Sequence, residues 1–229
     1  MRIAVIDSGI TLPGAPVTDR AAFRQREDGL GVEQIPARPD RVGHGSAVAA
    51  AILAQAPAVE LIDAQIFHDR ITASPAAVAA ALRWAIGCGA RLATLSLGLP
   101  ADRPVLRAAV EEALSHGLLL IAAYPARGGP VWPAAYPDVI AATGDARCGP
   151  GEVSVLPSAF GTCPRRPDGN PQAGGASLAV GHLAGLLAAA ALPSHEAALA
   201  HLHSTARWHG PERRLVEQPP SRWDGCLSS

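Results

Sequence analysis

The chain has 229 residues, 48% of them hydrophobic but only 4% aromatic, and a formal net charge of −1. That length fits one domain whose core is built from Ala, Leu, Val and Ile. The balanced charge excludes a strongly basic protein made to bind nucleic acid or an anionic membrane, since no basic stripe is present and the densest basic pairs are Arg165-Arg166 and Arg213-Arg214.

In chain order, residues 3–7 form a buried strand, Ile3 to Ile6 leading into Asp7. Residues 11–42 carry Pro13, Pro16, Pro36 and Pro39 among mixed charges and are expected to be a long loop with one short strand. The Ala-rich run 44–55 is a helix opened by His44 between two glycines, and 59–66 is a strand. Ser74-Pro75 starts a helix reaching about Ile86, because Ser caps the orphan amides and Pro suits the first helical position. Gly87 and Gly89 end it. A buried strand over 91–97, a helix from Pro104 to His116, and strands at 118–123, 138–143 and 152–156 follow. Ser177, behind Gly174-Gly175, begins a long apolar helix to Ala191. Strands alternating with helices imply a mainly parallel sheet covered on both faces, an α/β fold. Residues 1–210 form the domain and the Pro- and Arg-rich residues 211–229 a C-terminal extension.

Asp7, His44 and Ser177 each stand where a catalytic role needs them, although singly they are also an ordinary strand end, helix start and helix cap. A serine hydroxyl becomes nucleophilic only when a base takes its proton, and that base needs an orienting carboxylate. GGASLA is not the nucleophile elbow of the α/β-hydrolases, since Ala179 stands where Gly is required, which disfavours an esterase.

The boxes VIDSGI, GHGSAVA, LIDAQIF, LATLSLGLP, PAAYPDVIAATG and GASLAVGHLAG occur in this order, and together they resemble the subtilisin-like serine peptidases. The resemblance covers about residues 3–190. It implies a subtilisin-like three-layer fold, Asp7, His44 and Ser177 as the triad, and His182 as the family's second histidine. It further implies that Ser96, Leu97, Gly98, Ala122, Ala123 and Tyr124 line the substrate pocket. One departure lies in the oxyanion region, where Pro125 takes the place of the family's Asn and has neither a side-chain donor nor an N–H. Ala176 likewise replaces the Thr before the nucleophile. Loss of one such donor lowers the rate roughly 10²–10³-fold, a magnitude known for subtilisin. Tyr124, the Arg127 side chain, or an N–H of Gly128-Gly129 are the candidate substitutes. Tyr124 also stands where the family has Gly, so a small residue is expected before the cleaved bond.

Met1-Arg2 leads straight into the first strand, so no secretory signal is expected, and Leu183 to Leu192 is too short an apolar run to cross a membrane. A cytoplasmic setting follows, in which Cys88, Cys148, Cys163 and Cys226 are reduced; pairing of Cys148 with Cys163 remains open. The late histidines His195, His201, His203 and His209 have no carboxylate box, so no metal and no cofactor are expected. The short chain and the atypical oxyanion region are similar to the small subtilase of quinohemoprotein amine dehydrogenase maturation. That likeness implies removal of a leader peptide from a modified precursor, with the precursor subunit and a radical-SAM crosslinking enzyme as partners. The alternative is a catalytically impaired, subtilase-like peptide-binding scaffold, favoured by Pro125 and Ala176.

Overall fold

The computed structural model describes residues 1–169, 174–192 and 194–212. Asn170, Arg213-Arg214, Cys226 and most of the expected C-terminal extension lie outside them. Alternation along each strand divides the interior in two. In β1 (Arg2–Asp7), Ala4 and Ile6 face one layer while Ile3 and Val5 face the other. The same split recurs in β4 (Glu60–Gln65), β5 (Leu92–Leu95) and β6 (Leu119–Ala123), as expected for strands buried on both faces. One layer is closed by α2 (Pro75–Gly87) and α3 (Pro104–Ser115), the other by α1 (His44–Gln55), α4 (Ala176–Ala190) and α5 (His195–Thr205). This is the expected three-layer α/β architecture.

The remaining strands are β2 (Val17–Gln25), β3 (Val32–Ile35), β7 (Ile140–Gly144), β8 (Val153–Val155), β9 (Phe160–Thr162) and β10 (Trp208–His209). They join in the order β10-β8-β9-β7-β6-β5-β1-β4-β2-β3. All neighbours are parallel except β2 with β3 and β8 with β9.

The local signals behave as their chemistry requires. Ser74 Oγ accepts the Ala77 N–H at 3.1 Å with Pro75 in the first turn of α2. Two parts depart from expectation. The stretch taken as a long loop holds β2, nine residues long, and β3. Only Ala21, Ala22 and Phe23 of β2 are buried, so it lacks an apolar alternation; its charged residues instead pair inward, Asp19 with Arg2 and Arg20 with Asp63. Helix α5 starts at a Ser194 cap (Ala197 N–H to Oγ, 3.1 Å) and buries only Ala198 and Leu202.

Cys148 and Cys163 are buried free thiols, and Cys88 is also free, so the pairing left open is not made. The Arg165-Arg166 pair is tied down locally, Arg166 by an ion pair to Asp168 at 2.9 Å and Arg165 by the Ala146 carbonyl. No single described helix is long and apolar enough to cross a membrane. Among the described residues no cluster of His, Cys, Asp and Glu is arranged to hold a metal.

Helices α1 and α4 meet backbone to backbone. A Cβ on Gly181 would lie 2.8 Å from the Val48 carbonyl oxygen, and one on Gly185 would lie 2.6 Å from that of Ile52. Alanine normally favours a helix over glycine by about 1 kcal/mol. Here Gly181→Ala is expected to destabilise the fold by about 1–3 kcal/mol, because the added methyl meets backbone that can yield only if the helices part. Urea unfolding measures this, and a variant more stable than the parent would refute the contact.

Candidate active site

The site gathers at the C-terminal ends of the central strands, the edge at which open α/β sheets bind ligands. Asp7 is the last residue of β1, Ser96 follows β5, and Tyr124-Pro125 follow β6. His44 and Ser177 come from the first turns of α1 and α4.

His44 Nδ1 lies 2.7 Å from Asp7 Oδ1, and the carboxylate is almost completely buried while the imidazole side chain is 17% exposed. The same oxygen accepts the Ser8 N–H at 2.7 Å; the other, Asp7 Oδ2, is buried without a partner. An ionised carboxylate only accepts, so Nδ1 carries the proton and Nε2 presents its lone pair when His44 is neutral.

Glycine permits this approach. A Cβ on Gly45 would fall 2.3 Å from the Gly9 carbonyl oxygen and 3.1 Å from Asp7 Cβ. With no side chain there, α1 starts against the turn after Asp7, and the Gly45 N–H donates to Ser8 Oγ at 2.8 Å. Gln65 Nε2 donates to the Ser8 carbonyl at 2.7 Å and fixes the turn from β4.

The α1–α4 contact sets the place of Ser177. The pairs Gly181 with Val48 and Gly185 with Ile52 advance by four residues on both helices, so the helices run parallel in register. Carried one turn earlier, the same register would set Ser177 opposite His44; Leu178 packs with Ala47 and Ala51. Ser177 is half-buried, and its N–H belongs to the first turn of α4, whose amides have no partner within the helix. Gly175, at φ 108°, caps α4, and its N–H donates to the Pro164 carbonyl at 3.0 Å. His182 Nε2–H donates to the Arg165 carbonyl at 2.8 Å and ties the preceding loop to α4. Burial, only partly opposed by that carbonyl, holds its pKa below the usual histidine value and keeps the ring neutral.

Of the expected pocket residues, Ala122 is wholly within the core, Ala123 nearly so, and Ser96 Oγ is buried without a partner. Leu97, Tyr124, Val131 and Trp132 pack against the α2–α3 layer. Leu99 and Trp132 exchange backbone hydrogen bonds of 2.7 and 3.0 Å. That bridge seats Val131 on Gly98, where a Cβ would lie 2.9 Å from Val131 Cγ2. Tyr124 thus packs against the layer opposite α4, and it also borders a cavity with Pro125, Thr143 and Gly144. Pro125 is half-buried, and Arg127 and Gly128 are exposed.

Two carboxylates escape sequence reasoning. Asp40 Oδ1 accepts the N–H groups of Val42 and Gly43, and Oδ2 accepts the N–H and hydroxyl of Ser46, so it clamps the start of α1. An Asp three residues before the glycine that caps a helix is a readable sign of such a clamp. Asp63, wholly buried in β4, accepts the Ile10 N–H and Arg20 Nη1, both at 3.0 Å; burial pushes its carboxyl up to about 6 despite both donors.

For His44, burial is the largest influence and lowers the pKa, but the hydrogen bond and charge of Asp7, helped by Asp40, outweigh it and leave a net rise above 6.5. Titration of the His44 ring by NMR is expected to show a midpoint above pH 6.5. In Asp7→Asn the midpoint should fall below 6.5, since burial remains when the Asp7 charge is gone. An unmoved midpoint would refute the coupling.

No profile of a known protein family matches the chain. It is 33% identical to Subtilisin Savinase of Lederbergia lenta over 147 residues, 56% of this chain and 52% of that protein. It is also 33% identical to an alkaline protease of Shouchella clausii over 147 residues, covering 37% of it. The chain thus spans between about a third and a half of the length of these relatives. In structure it is similar to a cold-adapted subtilisin-like serine proteinase, with a TM-score of 0.69, 18% identity, and 90% and 84% of the two chains covered. The fold of this chain is that of the subtilisin-like serine proteases.

Proposed function

We propose that this chain is a serine endopeptidase in which Ser177 attacks the peptide carbonyl, His44 is the base and Asp7 its orienting carboxylate. The observation that carries this reading is the 2.7 Å Asp7–His44 bond at the helix turn in register with Ser177. As Ser177 Oγ bonds to the carbonyl carbon, its proton passes to His44 Nε2 and the carbonyl π pair moves to oxygen. Collapse expels the amine, which takes that proton from His44; water then repeats the sequence and frees Ser177. Asp7, buried against the ring, stabilises the imidazolium that forms between these steps. The Ser177 N–H, at the positive end of α4, receives the oxyanion.

The substrate we propose is one bond in a modified precursor protein, whose leader peptide is removed in the cytoplasm. Two observations support a narrow specificity and a third the compartment. Pro125 offers no second oxyanion donor. Val131 seated on Gly98, with Tyr124 packed on the same layer, supports a primary pocket for a small residue such as Gly, Ala or Ser. The free thiols of Cys88, Cys148 and Cys163 suit a reducing compartment. A weak oxyanion site makes rate depend on binding energy from substrate remote from the bond, which a dedicated precursor supplies. The precursor subunit and its radical-SAM crosslinking enzyme are the partners in this reading.

Pro125 and Ala176 also favour a second reading, a peptide-binding scaffold without activity. A fluorophosphonate probe separates the two, because labelling needs an activated Ser177 hydroxyl. Under the endopeptidase reading the parent chain is labelled and cuts the precursor once, as seen by mass spectrometry. Ser177→Ala is expected to bind but lose roughly 10⁶-fold in turnover, the loss found on removing the nucleophile of subtilisin. No label and no cut, with precursor still bound, would establish the scaffold. Pro125→Asn is expected to raise kcat by up to about 10²-fold with little change in KM, by restoring a donor used only in the transition state. An unchanged kcat would mean that another group already fills that role.

A further inference from the structure

The segment that delivers His44 also carries an arginine-lined surface. A cavity of about 380 Å³ lies between residues 10–13, Arg20 and residues 37–39. A shallower depression adjoins it, bordered by Arg38, Arg41 and His68, so that Arg38 stands on the rim of both. The apolar walls come from Ile10, Leu12, Pro13, Ala37 and Pro39, and the prolines restrict the backbone on both sides.

Three guanidinium groups converge here. Arg20 is spent in part, held to Asp63 at 3.0 Å and to the Ile10 carbonyl at 2.7 Å, yet its side chain is 45% exposed. Arg38 and Arg41 are exposed, and neither side chain makes an ion pair or hydrogen bond among the described residues. The Asp40 carboxylate is taken up in clamping α1, Asp63 is buried under Arg20, and only Asp69 is exposed at the rim. Arg38 and Arg41 thus present two guanidinium groups without a partner among the described residues on one surface, with these carboxylates around them. That place is beside the dyad, since Ile10 is three residues after Asp7 and Arg41 three before His44.

We propose that this surface docks an acidic segment of the peptide substrate. This rests on the endopeptidase reading above. Carboxylates spaced along an extended peptide match separate guanidinium forks, each able to take two parallel hydrogen bonds. The proline-walled cavity receives the intervening apolar atoms. Duplex nucleic acid fits less well, because it needs a longer basic track than three arginines. The surface adds binding energy away from the scissile bond, which the Pro125 site requires.

The test uses the full chain carrying Ser177→Ala, so that binding is read without turnover, and a fluorescein-labelled peptide with four glutamates among Gly and Ala. Its partner replaces each glutamate by glutamine. Fluorescence anisotropy is expected to show at least tenfold tighter binding of the glutamate peptide, weakening as salt rises from 50 to 200 mM. Arg38→Glu with Arg41→Glu should remove that preference, and Arg38→Lys with Arg41→Lys should keep most of it. Equal binding of the two peptides, or a preference untouched by the glutamate substitutions, would overturn the proposal. The peptide comparison stands even where the glutamate variant does not fold. Fluorophosphonate labelling of the parent chain is independent of this result, so failure of the docking surface and failure of the peptidase reading are told apart.

Discussion

The site depends on the distance at which α4 packs on α1. Gly181 and Gly185 let the two helices touch through backbone atoms of Val48 and Ile52. A side chain at either glycine would separate the helices, and the separation would propagate to their first turns. Ser177 and His44 occupy those turns, so a packing constraint deep in the Ala-rich layer bears on the relation between the proposed nucleophile and base. This explains a composition in which aromatics are scarce: close helices need small residues, and the core volume comes from the Ile, Leu and Val of the sheet.

Electrostatics adds a second constraint at the other end of His44. Asp7 is buried with one oxygen holding both His44 and the Ser8 N–H and the other without a partner. Burial of a carboxylate is costly unless its charge is used. Here it raises the affinity of His44 for a proton against the effect of the imidazole's own burial. Asp40 contributes to the same end while clamping α1, so the loop before His44 determines both the position and the basicity of the ring.

Much of this was legible in the sequence because it rests on short-range chemistry. Ser74-Pro75 announced α2, the apolar runs announced β1, β5 and β6, and the glycines around His44 and Ser177 marked helix starts. The Asp7–His44 bond followed from the order of the boxes. What escaped was decided by distant partners. Strand β2 carries Asp19 and Arg20 where an apolar residue would signal a strand, because Arg2 and Asp63 are waiting for them. Helix α5 buries too few residues for a clear period. Val131 reaches Gly98 only through the Leu99–Trp132 bridge, a pairing between segments that no local pattern links.

The same long-range contacts bear on specificity. Gly98, whose backbone borders the expected pocket, is covered by Val131, and Tyr124 packs on the same layer. A pocket narrowed in this way gains little binding energy from the residue before the cleaved bond. Pro125 withdraws a further interaction, one made only in the transition state. In the endopeptidase reading proposed above, discrimination then comes from contacts farther along the peptide, the role proposed for the surface at Arg38 and Arg41. Under that proposal a long substrate is turned over while a short one carrying the same cleavable bond is not, the behaviour that separates the proposed trimming of one precursor from digestion of many proteins.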